Sequence, residues 1–288
     1  MARPRNPFAV GGRTLRDGRR LYWWREVAAV GVFYALYSLV RNLNDASSAR
    51  AFAHARDVID LQKTLGINQE HAVQAWALGS HTLIVAANYF YGSLHFIVTA
   101  LVLVYLYRRF ADDFPLWRNT LAIATATALI GFTFFPLMPP RLLDEFARSV
   151  HSSFHFGFVD TLAKDPAFWS FGSGTVNHIS NQYAAMPSVH CAWALWCACV
   201  LVPRLRRPWA KLLATLYPAM TVFVIVVTAN HYFLDAVAGF TVLGAGYLIA
   251  RAVTRSGRAP ARVGEPVAIL AGSGAPVGAH HVPDDEPE

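Results

Sequence analysis

Apolar residues in this chain gather into long segments separated by short polar stretches, and the segment lengths set the architecture. Stretches at 24–40, 82–107, 116–135, 187–202, 209–229 and 232–250 carry few or no charges. A helix rises about 1.5 Å per residue, so about 20 such residues cross the roughly 30 Å hydrocarbon core of a bilayer. The pattern predicts an all-α, polytopic membrane protein with six transmembrane helices.

Residues 49–80 read differently. Val58, Ile59, Leu61, Leu65, Ile67, Val73 and Trp76 recur at mixed helical spacing among charged residues, and no run there reaches spanning length. This predicts extra interfacial or re-entrant helices, broken at Gly66. Pro136, Pro139 and Pro140 end the third span, because proline cannot continue a helix. The 138–185 region that follows is the longest non-spanning stretch and is rich in His, Phe, Gly and Ser. Loops of that length either carry function or are disordered. The chain divides into a disordered basic arm (1–22), a six-span membrane catalytic domain (23–252) and a disordered Gly/Pro/Ala-rich tail (253–288). Ala46-Ser47-Ser48 is a weak cleavage pattern, but later spans make an uncleaved first span the expectation.

Composition agrees with a membrane class: of 288 residues, 55% are hydrophobic and 15% charged, well below the charged content of soluble domains. The net charge of +7 raises the question of nucleic acid. The Arg and Lys residues, however, fall in short clusters between apolar segments, without a continuous basic stripe or a nucleic-acid motif, so no nucleic-acid partner is expected. They act as topology signals instead. The basic arm, the 108–118 and 204–211 connections and the 251–262 tail all fall on one side, which the positive-inside rule makes cytoplasmic. The expectation is a multi-pass cell-membrane protein with both termini cytoplasmic. Residues 42–81, 138–185 and 228–231 then lie on the extracytoplasmic side. Cys191, Cys197 and Cys199 share one apolar run and form no disulfide or zinc framework, which makes them core-filling residues.

Orientation brings the chemistry to one face. Asp235 is the one carboxylate between Asp165 and Glu265, and it follows His231 by four residues, one helical turn. It can therefore hold one imidazole nitrogen and leave the other facing outward. Met186-Pro187-Ser188-Val189-His190 opens the fourth span, with proline at a position where its missing N–H costs nothing and with free first-turn amides that favour an anion. Arg141, just beyond the outer end of the third span, adds a cation suited to phosphate oxygens. Each feature alone has a plain structural reading as a cap, a packed histidine or a snorkelling arginine. Together, ionisable residues inside membrane segments on one face mark a functional site.

These residues resemble the type 2 phosphatidic acid phosphatase superfamily, through Pro-Ser-x-His at 187–190 and His-x-x-x-Asp at 231–235. The likeness extends to its lipid phosphotransferase branch, which includes inositol phosphorylceramide and sphingomyelin synthases. It rests on 231–235, on 88–96 (Asn-Tyr-Phe-Tyr-Gly-Ser-Leu-His-Phe) and on 135–141 (Phe-Pro-Leu-Met-Pro-Pro-Arg). Val189 stands where the phosphatases have Gly, and Val224 and Ile225 stand where they have Ser-Arg, which favours the transferase branch over simple phosphatidate hydrolysis.

The resemblance implies phosphoryl transfer from a lipid phosphate without metal or other cofactor. His231 would be the nucleophile, Asp235 its orienting partner and His190 the proton donor to the leaving oxygen. Arg141 and the amides near Ser188 would bind the phosphate, with His95 either a substrate contact or a packed, hydrogen-bonded histidine. Two other classes use the same residues. A transporter or channel would use His and Asp as a proton relay, and a metalloenzyme would take His190, His231 and Asp235 as ligands. The sequence sets neither the oligomeric state nor the acceptor of the phosphoryl group.

Overall fold

A computed structural model describes residues 12–43, 47–164 and 182–256. Residues 1–11 of the predicted arm, 165–181 of the long loop and 257–288 of the tail lie outside the described residues. The described chain is mainly helical. In chain order the helices are α1 (Trp23–Leu43), α2 (Ser48–Thr64), α3 (Glu70–Ala77), α4 (His81–Tyr89), α5 (His95–Arg109), α6 (Phe114–Phe134), α7 (Pro140–Ser149), α8 (Thr161–Lys164), α9 (Val189–Leu201), α10 (Pro208–Val227) and α11 (Phe233–Ser256). A π-helical turn, Phe90–Leu94, joins α4 to α5 without a break. Three helical stretches among the described residues are long and apolar enough to cross a membrane: His81–Arg109, Pro208–Val227 and Phe233–Arg255. Helix α9 is equally apolar but has 13 residues, shorter than the roughly 20 needed to span a bilayer alone.

The region around Gly66 behaves as its sequence suggests. α2 ends in a Schellman turn in which Gly66 N–H reaches Lys63 O (3.1 Å) and Ile67 N–H reaches Gln62 O (2.9 Å). Gly66 adopts φ +70°, a left-handed position glycine occupies without steric cost. The buried face of α2 is Ala51, Ala55, Val58, Ile59 and Gln62. Its apolar members pack on Leu137, Met138, Leu143, Ala185 and Tyr232. This second cluster lies under the site, apart from the main core of α5, α6, α9 and α11.

Part of the predicted disordered arm is ordered. Gly12–Thr14 (β1) and Arg20–Tyr22 (β2) pair as an antiparallel hairpin. High positive charge argued against structure here, but Leu15 and Leu21 supply buried apolar surface against Val102, Leu106 and Phe114. Asp112 also receives the Arg16 amide at 2.8 Å, and Arg13 donates to the Arg108 carbonyl. α6 packs along α11, and Gly246 is what permits the approach, since a Cβ there would sit 3.1 Å from Ala124 N and Thr120 O.

Candidate active site

The site forms where the starts of α9 and α11 meet the π-helical turn. α10 ends in a second Schellman turn: Ala229 N–H bonds Val226 O at 2.9 Å and Asn230 N–H bonds Ile225 O at 3.0 Å. Here the left-handed residue is Ala229, at φ +51°, which costs an alanine roughly 1–2 kcal/mol. That strained turn delivers Asn230, His231 and Tyr232 to the start of α11. Tyr232 is fully buried and its hydroxyl donates to Met138 O at 3.0 Å, while Arg141 N–H donates to Ala229 O at 2.9 Å. The 138–141 segment is thereby tied to the turn carrying His231.

His231 is 3% exposed. Its Nδ1 lies 2.8 Å from the Ala185 carbonyl and 3.2 Å from Asp235 Oδ2. Two acceptors on one nitrogen require that nitrogen to carry the proton, so in the neutral ring Nε2 presents its lone pair. Nε2 is buried with no protein partner. A buried polar atom without a partner is costly, and here it is the atom a nucleophile would use. The sequence assigned the orientation of the ring to Asp235, but the shorter contact is the Ala185 carbonyl. Asp235 Oδ2 also accepts from Tyr232 N–H at 3.0 Å, so the carboxylate caps its own helix as well.

This division of labour alters what Asp235→Asn should do. Ala185 continues to hold Nδ1–H, and the amide oxygen can still accept from Tyr232. Only the negative charge is lost. Turnover is expected to fall by about tenfold to a hundredfold, well short of the roughly 10⁴-fold that follows when a histidine adopts the wrong tautomer. Steady-state kinetics of the folded variant measure this, and a 10⁴-fold loss would restore Asp235 as the sole holder of the ring.

The other predicted residues converge here. The His190 ring lies with its centroid 5.6 Å from that of His231, near edge-on at 63°. The His95 ring is 4.0 Å from His190, and His95 Nδ1 bonds the Tyr91 carbonyl at 3.1 Å. Tyr91, from the π-helical turn, stacks on His190 at 4.2 Å and 18°. The wider π turn brings Tyr91 and His95 together against His190, a placement periodicity does not reveal. His95 is thus a packed, hydrogen-bonded neighbour of His190. Ser188 is fully buried, and its Oγ accepts from Cys191 N–H at 3.4 Å as the cap of α9. Its own amide is taken by the Asp235 carbonyl at 2.9 Å, so free first-turn donors would have to come from the amides that follow it. Arg141 sits beside the turn, with Nε 3.0 Å from Asn230 Oδ1 and an ion pair at 2.7 Å to Asp160. Among the described residues, no group of three or more His, Cys, Asp or Glu side chains is arranged to hold a metal ion.

Two residues that sequence reasoning passed over hold α11 in place. Phe233 N–H donates to Glu70 Oε1 at 2.9 Å and Leu234 N–H to Gln62 Oε1 at 3.1 Å. Gln62 left a trace, since it falls on the apolar stripe of α2, where a polar residue needs a reason. Burial pushes the Glu70 carboxyl above its ordinary 4.5, against the lowering effect of the Phe233 amide. A raised folded-state pKa means Glu70 favours the folded state while protonated, and that contribution is lost as pH rises from 4.5 through the raised value. Glu70→Gln keeps an acceptor for Phe233 and removes the desolvated charge. The variant should gain thermal stability relative to wild type at pH 7 but not at pH 4.5, as read by unfolding in detergent; an equal shift at both pH values would refute the assignment.

A helical protein with membrane-compatible helices and an inward-facing histidine pair is the class this geometry defines. The PAP2 superfamily model matches residues 56–249, a span that contains every site residue described above, and the chain belongs to that superfamily. It is accordingly an enzyme of the phosphoric-ester class, with membrane-compatible helices and a lipid-phosphatase-like function. No curated protein and no solved structure matches the chain.

Proposed function

We propose that the chain is an integral-membrane lipid phosphotransferase or phosphatase that works through a phosphohistidine on His231. Its six spans would place the site on the extracytoplasmic face of the cell membrane, with both termini cytoplasmic, and its reaction would be of the inositol-phosphotransferase type. The observation that carries this reading is the buried, unpartnered Nε2 of His231, whose ring is fixed through Nδ1. The juxtaposition of the His190 and His231 rings, with centroids 5.6 Å apart, supports it, because a nucleophile and a proton donor must both reach one phosphate.

In the first step the Nε2 lone pair attacks phosphorus and forms the P–N bond. The P–O bond to the lipid alcohol breaks, and His190 gives its proton to the departing oxygen. In the second step an acceptor hydroxyl attacks phosphorus, its proton passes to His190, and the P–N bond breaks. Arg141 and first-turn amides of α9 stabilise charge on the non-bridging oxygens. Asp235 stabilises positive charge on the His231 ring during both steps.

The test is to incubate the purified protein with labelled lipid phosphates, with and without inositol or diacylglycerol-type acceptors. Labelled product containing the acceptor establishes transfer, and free phosphate alone establishes hydrolysis. Turnover that survives loss of His231 removes the proposal.

A further inference from the structure

The cation assigned to the phosphate is not free. Arg141 Nη1 lies 2.7 Å from Asp160 Oδ2, and each side chain is 17% exposed. Asp160 is a built part of the site. Its Oδ1 accepts from the amides of Leu162 (3.0 Å) and Ala163 (3.1 Å) at the start of α8. On one side Val159 is clamped to Gln74 by two hydrogen bonds of 2.8 and 3.1 Å. On the other, Thr161 is joined to Asn88 by two of 3.2 Å.

This arrangement sets the charge of the site. Arg141 is the cation joined to the turn that carries His231, and Asp160 cancels its charge. Among the described residues, the other ionisable side chains around the centre include Asp235 and Glu70, which are acidic, the titratable His95, His190 and His231, and the neutral Tyr91, Cys191 and Tyr232. Two of the five guanidinium N–H groups of Arg141 are committed, to Asn230 and Asp160, leaving three to bond phosphate oxygens. Those donors offer hydrogen bonds with little net positive charge. A phosphomonoester carries about −1.5 to −2 at pH 7, whereas a phosphodiester carries a single negative charge. Removing the doubly charged group from water costs more, and a neutralised arginine returns less of that cost.

We infer that Asp160 is a specificity-determining residue: by neutralising Arg141 it tunes the site to a singly charged phosphodiester lipid and against a doubly charged phosphomonoester. The inference rests on the phosphotransfer reading above and names its substrate class. It assigns to Asp160 no contact with the reacting atoms.

The experiment measures His231-dependent kcat/KM of the full-length protein for two labelled lipids with identical acyl chains, phosphatidate and phosphatidylinositol. Wild type is compared with Asp160→Asn and Asp160→Ser, both of which keep an acceptor for the Leu162 and Ala163 amides. Wild type should favour the diester. The variants should raise the monoester-to-diester ratio by about tenfold to a hundredfold, as expected when a unit charge is removed from beside the arginine that binds the anion. A wild-type preference for phosphatidate overturns the inference, and so does an unchanged ratio in variants with normal melting. A second measurement needs no variant: lowering the pH to about 5, below the second phosphate pKa near 6, should raise the relative kcat/KM for phosphatidate in wild type. Absence of that rise overturns the inference even if neither variant folds. Wild-type protein that turns over neither lipid removes the phosphotransfer reading, and this inference with it, whereas turnover with an insensitive ratio removes this inference alone.

Discussion

His231→Gln is expected to abolish turnover while leaving the helical bundle folded. The side chain is buried beside the Ala185 carbonyl and Asp235, and glutamine retains an N–H that can reach either acceptor. The nucleophilic lone pair is what disappears. Removing the nucleophile of a covalent mechanism costs on the order of 10³- to 10⁶-fold in kcat. On the proposed mechanism, wild type should form a phosphoryl adduct with the acid lability of a P–N bond, and the variant should form none. The check combines rapid-quench labelling with steady-state rates, and activity within about tenfold of wild type would return His231 to a structural role.

The second large effect is expected at a residue that touches no substrate. Gly239 lies one turn beyond Asp235, where α11 crosses the start of α9. A Cβ at this position would fall inside contact distance of the Ser188 carbonyl oxygen and 3.2 Å from its carbon. The obstacle is backbone, which cannot rotate away as a side-chain tip can. Alanine gains about 1 kcal/mol of helix propensity over glycine, against about 1–3 kcal/mol for overpacking. The clash therefore cancels or exceeds the gain. Relief comes from moving α9 and α11 apart, and the same two helices carry His190 and Asp235. A shift of about 1 Å is enough to cost roughly a hundredfold in rate. Gly239→Ala should thus melt near or below wild type and lose about two orders of magnitude in kcat, with the lost activity the larger signal. A variant with wild-type kcat would mean that the two helices separate without disturbing the histidines.

The helices were legible because hydropathy is a local property. The six apolar segments correspond to α1, the continuous stretch from α4 to α5, α6, α9, α10 and α11. The pairing of His231 with Asp235 was equally local, one turn apart in a single helix. What escaped the sequence is carried by contacts between distant segments. The Ala185 carbonyl that shares in holding His231 is backbone, and backbone has no sequence signature. Asp160 looks like any loop acid until the fold brings it to Arg141. Tyr91 meets His190 only because the chain adds a π turn, and the hairpin at 12–22 is held by the sites its two leucines find on α5 and α6. Family membership could be read from 187–190 and 231–235, whereas the charge balance around Arg141 could not.

The amides at the start of α11 end on side chains 163 and 172 residues earlier in the chain. During synthesis, Gln62 and Glu70 emerge long before these backbone partners exist, and the two contacts cannot form until α11 arrives. A chain halted before Phe233 thus lacks the α11 amides that Gln62 and Glu70 receive, and the α2–α3 region of such a fragment is expected to be cut by protease at sites the finished protein conceals. The order of manufacture is also an order of assembly, in which His231 is fixed in place only once almost all of the described helices have been made.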